Sequence, residues 1–81
     1  MKTLYSDKNS VLISLLKAYR ADSKMTQREL ALEIEENQSF ISRYEAGQLR
    51  LDFVQLTEIL DALGVPLRKF IEDYIRLIDR K

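Results

Sequence analysis

The chain has 81 residues, 46% of them apolar and 32% charged, a balance that suits a folded domain and not a disordered one. It contains no cysteine and no histidine. That excludes a disulfide framework, sites built on the two commonest zinc ligands, and any acid–base or nucleophilic scheme that turns on an imidazole.

Formal net charge is zero, but the charges are segregated: residues 1–28 hold six Lys or Arg against two Asp, and residues 29–36 hold four Glu and no base. A neutral chain with this layout can still present a basic face once folded. No apolar run is long enough to span a membrane, and no signal peptide can be read at the N-terminus. The expectation is a cytoplasmic protein with no metal and no cofactor.

Breakers are sparse, with Gly47, Gly64 and Pro66 the only Gly and Pro residues, and this predicts a mostly helical chain. A first helix is predicted from Asp7 or Lys8 to Ala21, because Val11, Leu12, Leu15, Leu16 and Tyr19 recur at helical spacing. A second starts at Thr26, where Thr26-Gln27-Arg28-Glu29 reads as a capping box, with Leu30, Ala31 and Ile34 turned inward. Asn37 is a good N-cap for a third, which buries Ile41 and Tyr44 and stops at Gly47. A fourth opens at Asp52 with Gln55 three residues on, and Phe53, Leu56, Ile59, Leu60 and Leu63 form its apolar stripe up to Gly64. The fifth begins near Pro66 and runs towards Asp79. The second and third helices are short and separated by a tight turn, which is the helix-turn-helix arrangement.

Thr26-Gln27-x-Glu29-Leu30-Ala31, then Gln38-Ser39-Phe40-Ile41-Ser42-Arg43-Tyr44-Glu45-x-Gly47, then Leu63-Gly64-Val65 together resemble the Cro/C1 family of lambda-repressor-like, xenobiotic-response-element-type regulators. The resemblance covers about Lys17 to Phe70. It implies an all-α, five-helix DNA-binding domain with the helix-turn-helix at about 26–46. Similar repressor domains often end soon after the fifth helix begins, whereas this chain, read as one domain over residues 1–81, continues into an extended C-terminal helix at about 66–79, expected to serve dimerisation. The function implied is transcriptional control through sequence-specific binding of double-stranded DNA at a palindromic operator by a homodimer. Occupancy alone is expected to make it a repressor, with recruitment of polymerase by contact as the alternative, and no enzyme is expected.

Candidate site residues follow from the residue types and the resemblance together. Gln38 and Ser39 stand in the first turn of the third helix, with Arg43 one turn further along the same side, where glutamine can bond adenine and arginine guanine. Gln27 and Arg28 open the second helix, where free N–H groups favour a phosphate. Asn37, Gln48 and Arg50 complete the phosphate-contacting set. In similar repressors the residue matching Gln27 also supports the recognition glutamine, and the positions of Arg20 and Glu45 carry a structural ion pair. Phe40 is open between packing beneath the following loop and touching a thymine methyl. Many family members have glycine at the positions of Lys24 and Glu35, so both are expected at positive φ. Glu33, Glu35 and Glu36 would repel phosphate if they faced it.

In the fifth helix, Leu67, Phe70, Ile71, Tyr74, Ile75 and Ile78 form an apolar stripe too wide for one small core, and the expectation is a dimer interface. The competing expectation is a protein-interaction module or antitoxin that uses the same fold and binds a partner protein, such as a toxin, on this helix. Zero net charge and the acidic block favour it, and salt-dependent binding to duplex DNA separates the two.

Overall fold

A computed structural model describes residues 7–79, which form five helices: α1 Asp7–Asp22, α2 Gln27–Glu33, α3 Gln38–Glu45, α4 Phe53–Leu63 and α5 Leu67–Ile78. The local chemistry explains where they start. At α2 the Thr26 hydroxyl accepts the Glu29 N–H while the Glu29 carboxylate accepts the Thr26 N–H. At α4, Asp52 and Gln55 make the same reciprocal pair. Asn37 caps α3 through its side-chain oxygen, which accepts the Phe40 N–H at 3.1 Å. Each arrangement satisfies donors that a helix start otherwise leaves free.

The first four helices end alike. A single residue enters the left-handed region, and it and its successor donate back to carbonyls of the last turn. These residues are Lys24 (φ 58°), Glu35 (φ 60°), Gly47 (φ 79°) and Gly64 (φ 74°). At α3, Gly47 N–H reaches Tyr44 O at 3.0 Å and Gln48 N–H reaches Arg43 O at 2.9 Å; at α2, Glu35 and Glu36 reach Leu32 O and Ala31 O at 3.2 and 2.9 Å. Glycine adopts this conformation freely, whereas Lys24 and Glu35 are held in it at about 1–2 kcal/mol each. The turn thus keeps its geometry without its usual glycine.

Every helix sends apolar side chains to one core. Leu16, Leu30, Ile41, Tyr44, Ile59 and Leu60 are fully buried, and Leu15, Tyr19, Ala31, Leu56, Leu63 and Phe70 complete it. Two expectations are corrected by this packing. Phe53, assigned to the inner stripe of α4, is 61% exposed, and its neighbour Val54 is exposed as well; both precede the point where α4 meets the core. Phe70, assigned to a dimer interface, is 2% exposed and stands edge-on to Tyr19 with its other face stacked on Tyr74. It is a core residue of its own chain. Leu67 and Tyr74 also pack against that core, so the stripe that α5 leaves open narrows to Ile71 and Ile75, with Ile78 half-buried beside them.

A buried carboxylate locks α5 to α1. Asp73, within the helix periodicity of apolar positions, accepts Tyr19 Oη at 2.7 Å, Lys69 Nζ at 3.0 Å and Arg76 Nη2 at 2.7 Å. The Tyr19 hydrogen bond, with those from Arg76 and Lys69, holds the Asp73 carboxyl well below its usual range. Burial and the same bond push the Tyr19 phenol upward. Among the described residues no helix is long and apolar enough to cross a membrane.

Candidate nucleic-acid interface

α3 divides sharply by burial. Ile41, Tyr44 and Glu45 face inward, whereas Gln38, Ser39, Ser42 and Arg43 are exposed. The exposed set recurs every three or four residues, so it forms one solvent-facing strip from the first turn of the helix, at Gln38 and Ser39, to its last, at Arg43. Ser42 belongs to this strip, although residue type alone assigns it no role; its helical spacing from Gln38 and Ser39 is the signal that marks it. Phe40 is half-buried and packs edge-on against Tyr44 with ring centroids 5.8 Å apart, which favours the packing role over an outward one.

Behind the strip lies a chain of polar contacts. Arg20, near the end of α1, grips Glu45 at the end of α3 through two parallel bonds, Nε to Oε2 at 2.7 Å and Nη2 to Oε1 at 2.9 Å. Its third donor, Nη1, reaches the Met25 carbonyl at 3.0 Å. Glu45 Oε1 also accepts Gln27 Nε2 at 3.0 Å, and Gln27 Oε1 in turn accepts Gln38 Nε2 at 3.3 Å. Burial pushes the Glu45 carboxyl upward, but the hydrogen bonds from Arg20 and Gln27, with the charges of Arg20 and Lys17, outweigh it and hold Glu45 below the ordinary carboxylate value. The Arg20 guanidinium is raised, chiefly by its bond to Glu45. Four residues from α1, the start of α2 and both ends of α3 are therefore coupled. The link from Glu45 to Gln27 is not legible in the sequence, because it joins positions 18 apart.

Outside α3, Arg28 lies in the first turn of α2, and Gln48 and Arg50 lie in the loop after α3; Arg28, Gln48 and Arg50 all reach the surface. Asn37 keeps its side-chain oxygen for the cap, where it also accepts Ser39 Oγ at 2.8 Å, so only its amide N–H groups are available outward. Gln27's amide is engaged inside the protein on both sides.

The acidic block is split by the fold. Glu33 and Glu35 gather with Glu58 and Asp61 of α4 around one cleft, away from the α3 strip, whereas Glu36 shares a second cleft with Arg28 and Gln38. Of the block, Glu36 is the member that borders the strip, so most of the repulsion expected from the sequence is directed elsewhere. Among the described residues no cluster of acidic side chains could hold a metal ion.

Comparison with known proteins agrees with this geometry. A family profile described as helix-turn-helix matches residues 16–70, more than half of the chain. Among solved structures, the wild-type restriction–modification controller protein C.Esp1396I superposes with a TM-score of 0.86 at 28% identity, covering 94% of this chain and 97% of that one. A point mutant of the same controller protein gives 0.84 at 29% identity, with 90% and 95% covered. The clp gene regulator ClgR from Corynebacterium glutamicum gives 0.75 at 25% identity, with 84% and 72% covered. No curated protein matches the chain.

Proposed function

Because the chain belongs to the Cro/C1-type helix-turn-helix family of DNA-binding transcriptional regulators, we propose that it is a repressor that binds a palindromic operator as a homodimer. The family is one of regulators and not of enzymes. The observation that carries the reading is the exposed strip of Gln38, Ser39, Ser42 and Arg43 on α3, with the cation Arg28 sharing a cleft with Gln38 and the cation Arg50 exposed in the loop after α3. An α-helix fits the major groove, and its N-terminal side chains then meet base edges. Gln38 and Arg43 are long enough to read bases, whereas Arg28, Gln48, Arg50 and the Asn37 amide suit backbone phosphates, which fix register and supply salt-dependent affinity. Gln27 contributes to phosphate binding at most through the amide hydrogen it does not spend on Glu45.

Ile71 and Ile75, the exposed apolar residues of α5, support pairing with a second copy. A two-fold axis there would set two recognition helices about one DNA turn, roughly 34 Å, apart. Selection of duplexes from a random pool tests the whole reading. A palindromic consensus, bound with an affinity that falls steeply as salt rises, is the expected result. Recovery of no preferred sequence would overturn it in favour of a protein-interaction role, with a partner protein on the exposed Ile71 and Ile75 of α5.

A further inference from the structure

We infer that Glu45 is a positioning residue for DNA reading: through Gln27 it sets the direction in which the Gln38 amide is presented, and so commits Gln38 to adenine. The inference rests on the proposed reading of Gln38 as a base contact and extends it to a residue that touches no DNA.

An ionised carboxylate only accepts hydrogen bonds. Glu45 is nearly enclosed, its side chain 4% exposed, and both its oxygens are already taken by the Arg20 fork. The atom of Gln27 that lies 3.0 Å from Glu45 Oε1 must therefore be the amide nitrogen. Amide oxygen and nitrogen are otherwise hard to tell apart, but a carboxylate neighbour decides between them. With Gln27 turned this way, its oxygen is what faces Gln38, 3.3 Å from the nearest amide atom. That atom must be a donor, which makes it Gln38 Nε2.

The consequence appears at the outer edge of Gln38. One amide hydrogen is spent on Gln27; the other hydrogen and Oε1 remain, side by side, one donor and one acceptor. Adenine offers the complement in the major groove, the N7 acceptor beside the N6 amine. Had the chain of bonds run the opposite way, the oxygen and nitrogen of Gln38 would trade places. Its oxygen would then oppose adenine N7 and its amine the N6 amine, two mismatches in one pair. Guanine, with acceptors at both N7 and O6, matches only half of the outer edge in either direction. The ion pair of Arg20 and Glu45 thus does more than tie α1 to α3. It is the fixed end of a relay whose free end is a base-reading amide.

Binding of variants to the duplex that the wild-type chain selects from a random pool, and to a panel of single-base changes of that duplex, tests the relay. Gln27→Leu cuts it at its middle link. Glu45→Gln replaces one acceptor oxygen with an amine, so Arg20 and Gln27 compete for the oxygen that remains. Both variants are expected to lose at least about threefold of the adenine preference at the base pair read by Gln38, out of the roughly 5- to 150-fold that one bidentate contact supplies. Preference at the base pair read by Arg43 should stay within about twofold of wild type. In a Gln38→Ala background, Gln27→Leu should change nothing further at the Gln38 position.

Equal loss at every position, or a full adenine preference in Gln27→Leu, overturns the relay. If Gln38→Ala removes a base preference that Gln27→Leu keeps, the relay alone falls. If Gln38→Ala alters no base preference, or the base preferred there is not adenine, the reading of Gln38 falls and the relay with it. Thermal melts of each variant show whether it folds; should Glu45→Gln not fold, Arg20→Met/Glu45→Met, which removes the same carboxylate without stranding a charge, decides the role of Glu45, and a full adenine preference in it overturns the relay.

Discussion

Removing Arg20 while keeping Glu45 is the most severe test of how the site is held. In Arg20→Met the Glu45 carboxylate keeps its burial, with 4% of its side chain exposed, and loses both bonds of the guanidinium fork. Only Gln27 Nε2 still donates to it. Stranding a buried charge in this way costs about 3–5 kcal/mol. A chain of 81 residues has a total stability of roughly 4–12 kcal/mol, so the variant should stand near its unfolding threshold. The double variant Arg20→Met/Glu45→Met removes the stranded charge and fills the space with flexible apolar side chains. What it forfeits outright are the Arg20 bond to the Met25 carbonyl and the Gln27 bond to Glu45, about 1 kcal/mol each at most, so it should fall within about 2 kcal/mol of wild type.

The difference has a pH signature. In the wild type the Glu45 carboxyl is held below its ordinary value of 4.5, so its contribution is complete above that pH and is lost as acid titrates the group through its lowered value. Arg20→Met removes the largest influence holding it down, the Arg20 hydrogen bond, together with the Arg20 charge, and leaves burial to push it up against Gln27 and Lys17 alone. The variant therefore gains relative to wild type as Glu45 protonates, and the gap between them should narrow between about pH 7 and about pH 4. Urea unfolding followed by far-ultraviolet circular dichroism measures all three proteins at both pH values. A single variant costing less than about 1 kcal/mol, the value of an ordinary surface pair, would refute the reasoning. So would a double variant as unstable as the single.

Other expectations address the turn, the reading face and the pairing surface. Glu35→Gly should stabilise by about 0.5–1 kcal/mol, since relief of left-handed strain and of repulsion from Glu33, Glu58 and Asp61 exceeds the added chain entropy; urea titration shows a loss instead if Glu35 is held by something other than the turn. Arg43→Ala should relax preference at one base pair per half-site by about 1–3 kcal/mol. Arg50→Ala should weaken all sequences alike and flatten the slope of log affinity against log salt by about one unit for each phosphate left unneutralised. Titration of a single-base panel at several salt concentrations distinguishes these outcomes, and a uniform loss for Arg43→Ala would reassign it to phosphate. The double change Ile71→Asp/Ile75→Asp should give a folded monomer by sedimentation, whereas Phe70→Ala should cost about 3–5 kcal/mol of fold stability. A wild type that sediments as a monomer both free and on DNA would remove the homodimer from the proposal.

Signals carried within a few residues are legible in the chain alone. Thr26 with Glu29, Asp52 with Gln55, and Asn37 all cap where their spacing places a cap, because a cap is a contact between near neighbours in the chain. Lys24 and Glu35 take the positive φ that the resemblance implies, because a helix stop of this kind is also local. Inward faces of α1, α2 and α3 follow from periodicity for the same reason. Which apolar residues those faces meet is another matter. Phe53 and Phe70 both carry a phenyl ring at a stripe position, yet one is exposed and the other is core, since burial depends on which neighbouring helix arrives. Asp73 breaks the α5 stripe and still sits inside, because Tyr19, 54 positions away, supplies a hydroxyl. The acidic run of residues 29–36 is continuous in the chain and divided in space, because the turn after α2 carries Glu35 towards α4 and leaves Glu36 beside Arg28. Of the contacts that run from Arg20 to Gln38 across three helices, the resemblance implies the pair of Arg20 with Glu45 and the support of Gln38 by Gln27, whereas the bond from Gln27 to Glu45 follows from no spacing rule. Contacts between distant segments are set by how the helices pack, and packing is where the arrangement behind the reading face was decided.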